Sequence, residues 1–376
     1  MRLLLLALTL CTACEPEATL TGTRCASWSS AGHAASEAQR FAKLDSAIRV
    51  EAHAGFSGVV LVGDSIGPRF TIGCGTGERA DTVGTDIPFW LASDSKQVTG
   101  TAIMRLQERG RLKVTDPVTR FFSRVPADKQ SVTVHQLLTH TSGLPHEYRA
   151  DGIIDRDSAV SSIFKLPLSS RPGEKFSYSN DGYSLLAAIV EIASGIPFDD
   201  YIADSLFAPA GLQYSGVWGH ERADIPVAPV ADSTGTLNQR ETILSRGKSV
   251  ANWGYRGPTG VYSSASDVFR WVQAVRSGRV ISPEGVRQLV GRHVLVRSDS
   301  TGSSYTAYGW GVRVEGGNDT WYSHSGNEDW LGHNSVIRFT PRGEIVVVLS
   351  NSGDIDGSGW STRVNRVVRR VFDSSQ

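Results

Sequence analysis

Strand patterns lie at both ends of this 376-residue chain, and helical patterns lie between them. Near the N-terminus, residues 58–62 and 69–72 are short apolar runs joined by a Gly-Asp-Ser-Ile-Gly-Pro turn, which predicts a hairpin. Four further strands are predicted near the C-terminus, over residues 308–314, 320–324, 334–339 and 344–349. This order favours an α+β domain in which both termini supply strands to one antiparallel sheet.

Helical spacing of apolar residues predicts helices in the middle of the chain and beside the terminal strands. These helices are predicted over residues 37–53, 95–109, 132–138, 184–193, 199–206, 267–275 and 361–372. We therefore predict one domain over residues 36–376. It comprises a sheet subdomain, about 36–92 and 300–376 and flanked by the terminal helices, and an inserted, mostly helical subdomain, about 93–299.

The charge balance excludes a nucleic-acid partner. Lys and Arg number 38, Asp and Glu also number 38, and the formal net charge is zero. Binding to phosphates needs a basic face, whose excess charge would show in the total. A hydrophobic fraction of 40% with a charged fraction of 20% also excludes a disordered protein.

The first residues have the features of an export signal. A charged Met-Arg start precedes the apolar run of residues 3–10, which is too short to span a bilayer. The following Leu-Cys-Thr-Ala-Cys resembles the lipobox of bacterial lipoproteins, so removal of residues 1–13 would leave Cys14 as a lipidated N-terminus. An ordinary cleaved signal is the alternative. We expect export to the periplasm or the outer face of a bacterial membrane, with residues 14–35 as a flexible tether.

Two cysteines, Cys25 and Cys74, follow the predicted signal. In an oxidising compartment they can form a disulfide. The sequence leaves two alternatives open, a disulfide or two idle thiols.

Two serine motifs compete for the role of nucleophile. Ser65 lies in Gly-Asp-Ser-Ile-Gly, which matches the G-x-S-x-G elbow, but that elbow requires a strand that leads into a helix. Here a second strand follows, and Gly, Asp and Pro are ordinary turn residues. We therefore interpret Ser65 as part of the hairpin turn.

The second motif is Ser93-Asp-Ser-Lys96, at the start of a predicted helix. Residues three apart share one helix face, so Lys96 can reach the hydroxyl of Ser93. At the helix N-terminus, Ser93 also lies near the positive end of the helix dipole, and its backbone N–H can serve an oxyanion. Because a serine needs such help to act as a nucleophile at neutral pH, this pair is the candidate catalytic centre.

Two further motifs follow in order along the chain. Tyr178-Ser-Asn180 precedes a predicted helix, and His324-Ser-Gly326 ends a predicted strand. With these motifs the chain resembles the serine β-lactamase and penicillin-binding protein superfamily. The similar branch contains class C β-lactamases, D-alanyl-D-alanine carboxypeptidases, D-aminopeptidases and esterases. Further segments that carry the resemblance are residues 112–118, 137–145 and 257–264.

The resemblance implies a role for each residue of the first two motifs. Ser93 would attack the scissile carbonyl and form an acyl-enzyme. Lys96 and Tyr178 would share the general-base role, and Tyr178 would later protonate the leaving group. Asn180 would orient Lys96 and hydrogen-bond a substrate amide.

The resemblance also implies a substrate-binding strand formed by His324, Ser325, Gly326 and Asn327. The backbone N–H groups of Asn327 and Ser93 would form the oxyanion hole. Gly326 would keep the strand edge open, so that an extended substrate could lie against it.

Other candidate residues are interpreted as structural. His140 would fix the loop that follows it, and Trp90, Trp253, Tyr255 and Trp330 are interpreted as buried aromatics rather than walls of a cleft. None of the nine histidines is paired at metal-ligand spacing near a carboxylate. We therefore predict neither a metal nor a cofactor.

The third motif departs from the β-lactamase pattern, in which Lys-Thr-Gly supplies a permanent cation for the substrate carboxylate. Here the motif is His-Ser-Gly, and an imidazole with a reference pKa of about 6.5 is only partly charged at neutral pH. The local cation would be Lys96, with help from His324. We therefore hypothesise an exported serine hydrolase that acts on peptidoglycan-like D-peptides, like a D-alanyl-D-alanine carboxypeptidase, or on esters. A class C-type β-lactamase and a penicillin-binding sensor without turnover are the alternatives.

Overall fold

The structure of the protein is a computed structural model. It describes residues 24–26, 32–75, 83–219, 227–228, 230–231, 237–238, 251–328, 332–353 and 359–372. The predicted signal with its lipidation site at Cys14 lies outside the described residues, as does Trp330. Within the described ranges, no helix combines the length and the apolar character needed to cross a bilayer.

A nine-stranded antiparallel sheet forms the centre of the molecule. Its strands, in spatial order, are β1 (Arg24–Cys25), β3 (Pro68–Gly75), β2 (Gly58–Gly63), β14 (Ile345–Ser350), β13 (His333–Phe339), β12 (Asn318–Glu328), β11 (Gly311–Glu315), β10 (Gly302–Thr306) and β9 (Val294–Asp299). The N-terminal hairpin joins the C-terminal strands where β2 pairs with β14, with Val60 opposite Val348. This pairing confirms that the two termini build one antiparallel sheet.

Helices cover both faces of this sheet. The α-helices are α1 (Ala35–His53), α2 (Ser95–Glu108), α3 (Val134–Leu138), α4 (Arg156–Phe164), α5 (Asn180–Ser194), α6 (Phe198–Ile202), α7 (Ala208–Ala210), α8 (Ala265–Arg276), α9 (Pro283–Leu289) and α10 (Trp360–Phe372). On one face, Leu44 and Ile48 of α1 pack with Val364 and Val368 of α10 against the sheet. The other face packs against the inserted helical region, in which α2 and α5 form much of the core. The predicted α+β class, with terminal helices that flank the sheet, is confirmed.

The turn between β2 and β3 contains the first serine motif. The N–H of Asp64 donates to the carbonyl of Gly67 at 3.0 Å, and the carboxylate of Asp64 accepts the N–H of Ile66 at 2.8 Å. These bonds close a turn between two antiparallel strands, and Ser65 lies within it. The interpretation of Ser65 as a hairpin residue is therefore confirmed.

A small second sheet supports the other serine motif. It consists of β4 (Pro88–Trp90), β8 (Val261–Ser264) and β5 (Ser215–Val217). A separate two-stranded ribbon pairs β6 (Val230–Ala231) with β7 (Leu237–Asn238). β4 leads into a 3₁₀ turn over Ala92–Asp94, and this turn continues into α2.

The helices α4 and α9 and the strands β4, β5 and β8 were not predicted from the sequence. Two segments near the far edge of the large sheet also differ from the prediction. β9 and β10 form a hairpin, although β9 lies in residues assigned to the helical subdomain; its residues are mostly exposed and give a weak apolar signal. The strand predicted from residue 308 begins only at Gly311. Gly309 has a φ of +78°, and a Cβ there would lie 2.3 Å from the carbonyl oxygen of Lys96, so this segment is a loop packed closely on α2.

A disulfide joins Cys25 to Cys74 across the first edge of the large sheet. The two residues lie directly opposite each other in the β1–β3 pair, so part of the segment expected to be a tether is attached to the sheet.

Replacing both cysteines by serine is expected to lower the free energy of unfolding by about 2–4 kcal/mol, because the disulfide closes a loop between residues 49 positions apart. Urea unfolding measures the change. Wild-type protein under reducing conditions should unfold at the same urea concentration as the double variant. If a reductant left the wild-type transition unchanged, the bond would make no contribution to stability.

Candidate active site

The nucleophile turn, defined as the 3₁₀ turn Ala92–Asp94, presents Ser93 at the entrance to α2. Ala92 has a φ of +47°, a region that non-glycine residues rarely occupy and that is typical of functional turns. Ala92 and Asp94, the neighbours of Ser93, are fully buried, whereas Ser93 itself is partly exposed. The turn thus directs the serine towards solvent at the positive end of a helix dipole.

Lys96 lies one helical turn further on and contacts three oxygen atoms. Its Nζ is 3.1 Å from the Oγ of Ser93, 2.8 Å from the Oδ1 of Asn180 and 3.0 Å from the carbonyl oxygen of Pro258. Lys96 is fully buried. Three acceptors match the three N–H bonds of an ammonium group, which therefore suits this position.

Tyr178 reaches the same hydroxyl from the opposite side. Its Oη lies 2.9 Å from the Oγ of Ser93, and the Nζ of Lys96 is 4.8 Å from the centre of its ring. Ser179 is extended, with φ of −142° and ψ of 120°, and caps α5 by accepting the N–H of Gly182 at 3.2 Å. Because alternate residues of an extended segment share one face, the Tyr-x-Asn spacing directs Tyr178 and Asn180 towards the same centre.

His140 positions the tyrosine. Its ring stacks on that of Tyr178 at a centroid distance of 4.4 Å, and its Nδ1 accepts the N–H of Ser179 at 3.1 Å. Burial, followed by the charge of Lys96, holds the pKa of His140 well below its usual range. The neutral ring is consistent with an accepting Nδ1. His140 is structural, as predicted from the sequence, but it lies against the site itself.

β12 supplies one wall of the site. β11 pairs with β12 only as far as Ser323, whereas β13 pairs with the opposite edge as far as Glu328. The β11-facing edge of His324–Glu328 is therefore left for an extended ligand.

Gly326 lets this strand approach the nucleophile turn. A Cβ at Gly326 would lie 2.0 Å from the carbonyl oxygen of Leu91 and 2.9 Å from the Cβ of Ala92. The side-chain position thus faces the nucleophile turn. This corrects the sequence interpretation, in which glycine served to keep the substrate edge open.

The environment of His324 also corrects a prediction. Burial, followed by the nearby charge of Lys96, lowers the pKa of His324 to about 3. Its Nδ1 lies 2.8 Å from the carbonyl oxygen of Ser325. A carbonyl oxygen only accepts hydrogen bonds, so Nδ1 must carry a proton and donate it to this bond. The imidazole is therefore neutral at neutral pH. The sequence prediction that His324 supplements the positive charge of Lys96 is wrong.

Asp94 is a buried acid beside the nucleophile that sequence reasoning missed. The Oγ of Ser335 is within hydrogen-bond distance of both the Oδ2 of Asp94 and the carbonyl oxygen of Leu91, but it carries only one proton. A protonated Asp94 lets both bonds form, because the acid then donates to Ser335. Burial raises the pKa of Asp94 to about 8, against a lowering by Ser335 and Lys96. The motif gave no signal, because S-x-x-K leaves this position open.

The variant Asp94→Asn is expected to gain stability relative to wild type as the pH rises. The folded-state pKa of Asp94, about 8, exceeds the ordinary value of 3.8, so the free energy of unfolding of wild type falls as the pH rises from 3.8 to about 8. The Asp94→Asn variant has no carboxyl group at this position and does not show this loss. The difference in unfolding free energy should therefore change by a few kcal/mol between about pH 4 and about pH 8. Urea unfolding at both ends of this interval measures it. An equal difference at both would show that Asp94 is ionised in the folded protein.

A cleft of about 900 Å³ opens above these groups. Ser93, Tyr178, Asn180, His324, Ser325 and Asn327 all line it, together with aromatic residues that the sequence did not single out, namely His146, Tyr148, Phe176, Tyr305 and Trp310. Trp90, Trp253 and Tyr255 are instead buried and absent from its lining, which confirms their interpretation as core residues. Among the described residues, no group of three or more His, Cys, Asp or Glu is placed to hold a metal ion.

The geometry suits nucleophilic catalysis by a serine. One hydroxyl oxygen, that of Ser93, contacts a cation and a phenol, so its proton can leave and a proton can return. The backbone of Ser93 and of Asn327 borders the same cleft, where an oxyanion would need donors. The structure thus brings together Ser93, Lys96, Tyr178, Asn180 and the strand from His324 to Asn327.

Comparison with known proteins agrees with this arrangement. The family model described as Beta-lactamase matches residues 48–361. Penicillin-binding protein 4* of Bacillus subtilis (strain 168) is 31% identical over 283 residues, which cover 71% of this chain and 61% of that protein. Penicillin-binding protein 4 of Amycolatopsis lactamdurans is 28% identical over 292 residues, 73% of this chain and 74% of that protein.

The fold is shared with solved structures. The D-amino acid amidase from Ochrobactrum anthropi SV3, in complex with L-phenylalanine, superposes with a TM-score of 0.71 at 22% identity and covers 91% of this chain and 98% of that one. This chain spans 66% and 61% of the lengths of two curated Bacillus subtilis relatives.

Proposed function

The chain belongs to the Beta-lactamase family, and we propose that it is a serine hydrolase that cleaves D-peptides or D-amino-acid esters through an acyl-enzyme on Ser93. One observation carries the proposal: the Oγ of Ser93 lies 3.1 Å from the Nζ of Lys96 and 2.9 Å from the Oη of Tyr178. A hydroxyl between a cation and a phenol is equipped both to lose a proton and to have one returned.

Acylation begins with the transfer of the Ser93 proton to Tyr178. The phenolate that accepts it is stabilised by the neighbouring ammonium of Lys96, which Asn180 and the carbonyl of Pro258 hold in place. As the bond from Oγ to the carbonyl carbon forms, the N–H groups of Ser93 and Asn327 stabilise the oxyanion. The bond to the leaving nitrogen or oxygen then breaks, and Tyr178 gives that atom its proton.

Deacylation uses the same groups in the reverse direction. Water gives a proton to Tyr178 and attacks the ester carbonyl, so a carbon–oxygen bond forms. The bond between the carbonyl carbon and Oγ breaks, and Tyr178 returns the proton to Ser93. The site is therefore restored after each turnover.

The neutral His324 supports a peptide or ester substrate over a β-lactam. The carboxylate of a β-lactam is fixed close to the scissile bond, where a permanent cation would bind it. At this position the protein has an imidazole whose pKa is lowered to about 3 by burial. A D-peptide or ester that has no carboxylate next to the scissile bond does not need a permanent cation at this position.

The test is an acylation assay with fluorescent penicillin, run beside a panel of D-peptides and of methyl and ethyl esters of D-amino acids. Turnover of the panel, with weak or transient labelling, is the expected result. Rapid loss of label without peptide turnover would instead identify a β-lactamase. Persistent label with no turnover of any substrate would identify a penicillin-binding sensor.

We further propose that the protein is exported and anchored by a lipid on Cys14. The sequence supports this through the charged start, the short apolar run and the Cys-Thr-Ala-Cys junction. The disulfide between Cys25 and Cys74 also suits an oxidising compartment. Mass spectrometry of the mature N-terminus tests the anchor. A diacylated Cys14 is expected, and a mature protein that begins elsewhere without lipid would exclude it.

A further inference from the structure

A second cavity, of about 550 Å³, lies on the outer face of β9–β12 beside α10. We call it the arginine cavity because four guanidinium groups line it, those of Arg297, Arg313, Arg338 and Arg369. Glu315 is the one acidic residue among the described residues that line it. Arg313 pairs with Glu315 at 3.0 Å, and Asp299 lies 3.6 Å from Arg297 and 3.8 Å from Arg313. The positive charge of the four guanidinium groups therefore exceeds the negative charge of these two carboxylates.

Strand register builds this cavity. Arg297 lies opposite Ser304, Ser304 opposite Arg313, and Arg313 opposite Trp321, so the four residues form one row across β9–β12. Residues directly opposite each other in antiparallel strands share a face of the sheet. The arginines are therefore brought together by the pairing of four strands.

Trp321 orients two further cations. The guanidinium of Arg338 lies 3.5 Å from the centre of the Trp321 ring, and that of Arg369 lies 4.8 Å from it. Stacking of this kind fixes the plane of a guanidinium and so prepares it for a planar anion such as a carboxylate. Arg338 itself is 2% exposed.

The arginine cavity adjoins the active-site cleft, because Ser304, Ser323 and Asn365 line both spaces. Ser323 is also the last residue of β12 that pairs with β11, directly before the open edge. A ligand that extends along the open edge in the direction of Ser323 therefore approaches residues that line the arginine cavity.

This direction corresponds to the leaving group. A substrate strand laid antiparallel to β12, like both existing neighbours of β12, runs from Asn327 towards Ser323 in its N-to-C direction. With the scissile carbonyl at the N–H of Asn327, the part that follows the scissile bond points towards Ser323. His324, the first residue of the open edge, is neutral, so a carboxylate on that part finds permanent cations only further on.

We infer that the arginine cavity is a subsite for a carboxylate on the leaving group, two or more residues beyond the scissile bond. The preferred substrate is then a D-peptide whose leaving group is an acidic peptide rather than a single amino acid. This inference rests on the proposed function. A guanidinium pair that binds one carboxylate typically favours a charged ligand over its neutral analogue by about tenfold or more.

The test uses a series of D-alanyl peptides in which one, two or three residues separate the scissile bond from the C-terminus. Each peptide is prepared as the free acid and as the C-terminal amide. For two or three residues, we expect kcat/KM for the acid to exceed that for the amide by about tenfold or more. An acid preference confined to the one-residue peptide would overturn the inference. The variants Arg297→Gln and Arg313→Gln should reduce this ratio, and the double variant should bring it close to unity.

Turnover of the amides controls for folding, because it should be unchanged in these variants. The matched control is Arg287→Gln on α9, an exposed arginine outside both cavities, which should keep the wild-type ratio. Equal rates for acids and amides in wild type would overturn the inference and leave the proposed function standing, as would an acid preference that survives in the double variant. Failure to cleave any peptide of the series while D-amino-acid esters are hydrolysed would overturn the inference alone, whereas failure on both the peptides and the esters would overturn the proposed function as well.

Discussion

Replacing Ser93 with alanine is expected to lower kcat/KM for D-alanyl ester hydrolysis by roughly 10⁴-fold or more, because the hydroxyl oxygen that contacts both Lys96 and Tyr178 is removed. Covalent labelling by fluorescent penicillin should disappear at the same time. Ester hydrolysis and gel-detected labelling measure the two effects. The side chain is small and partly exposed, so the fold should be retained.

The matched control is Ser65→Ala. Ser65 fits a nucleophile motif by sequence but lies in the β2–β3 turn, so its removal should leave ester turnover within about twofold of wild type. If turnover survived in Ser93→Ala and was lost in Ser65→Ala, the assignment of the nucleophile would be reversed.

Replacing Tyr178 with phenylalanine is expected to lower kcat by about 10²- to 10⁴-fold with a much smaller effect on KM. The ring can still stack on His140, so the loop should keep its conformation. The variant loses the hydroxyl that lies 2.9 Å from the Oγ of Ser93 and that carries the proton in each step. Steady-state kinetics on a D-peptide and on an activated ester separate the two parameters.

The loss of kcat should be larger for the D-peptide than for the activated ester, because the amine leaving group of the peptide needs a proton as it leaves and the leaving group of an activated ester does not. Tyr214→Phe, at a position remote from the cleft, serves as the control. If Tyr178→Phe kept near-wild-type kcat on both substrates, proton transfer would have to be assigned to Lys96 alone.

The sequence predicted the site well because each motif carries its own local geometry. Ser93 and Lys96 meet through the spacing of one helical turn, and Tyr178 and Asn180 meet through the alternation of an extended segment. Such spacings are visible in the sequence itself. The strands at both ends were predictable for the same reason, since their apolar runs were bounded by turn residues.

The charge states at the site were not predictable, because distant segments determine them. His324 is neutral because the fold buries it near Lys96, from which it is separated by more than half the sequence. Asp94 is protonated because the fold buries the nucleophile turn, and this burial raises the pKa of Asp94 to about 8. A pKa depends on burial and on neighbours in space, so motif spacing carries no information about it.

The arginine cavity was not predicted from the sequence for a related reason. Its four cations lie in four separate segments: strand register aligns Arg297 and Arg313, whereas Arg369 is contributed by α10. β9 and β10 were themselves not predicted, because β9 is an exposed edge strand and β10 is mostly half-buried, so neither shows the apolar alternation by which buried strands are recognised.

The pairing of β2 with β14 has a consequence for the order of folding. β2 lies near the N-terminus, and its partner β14 becomes available only when nearly the whole protein has been synthesised, so the topology is rich in contacts between distant residues. Such proteins fold slowly, because a long loop must close before its contacts form. A ribosome-bound or C-terminally truncated form therefore cannot complete the sheet. This delay would keep an exported protein unfolded until after its translocation.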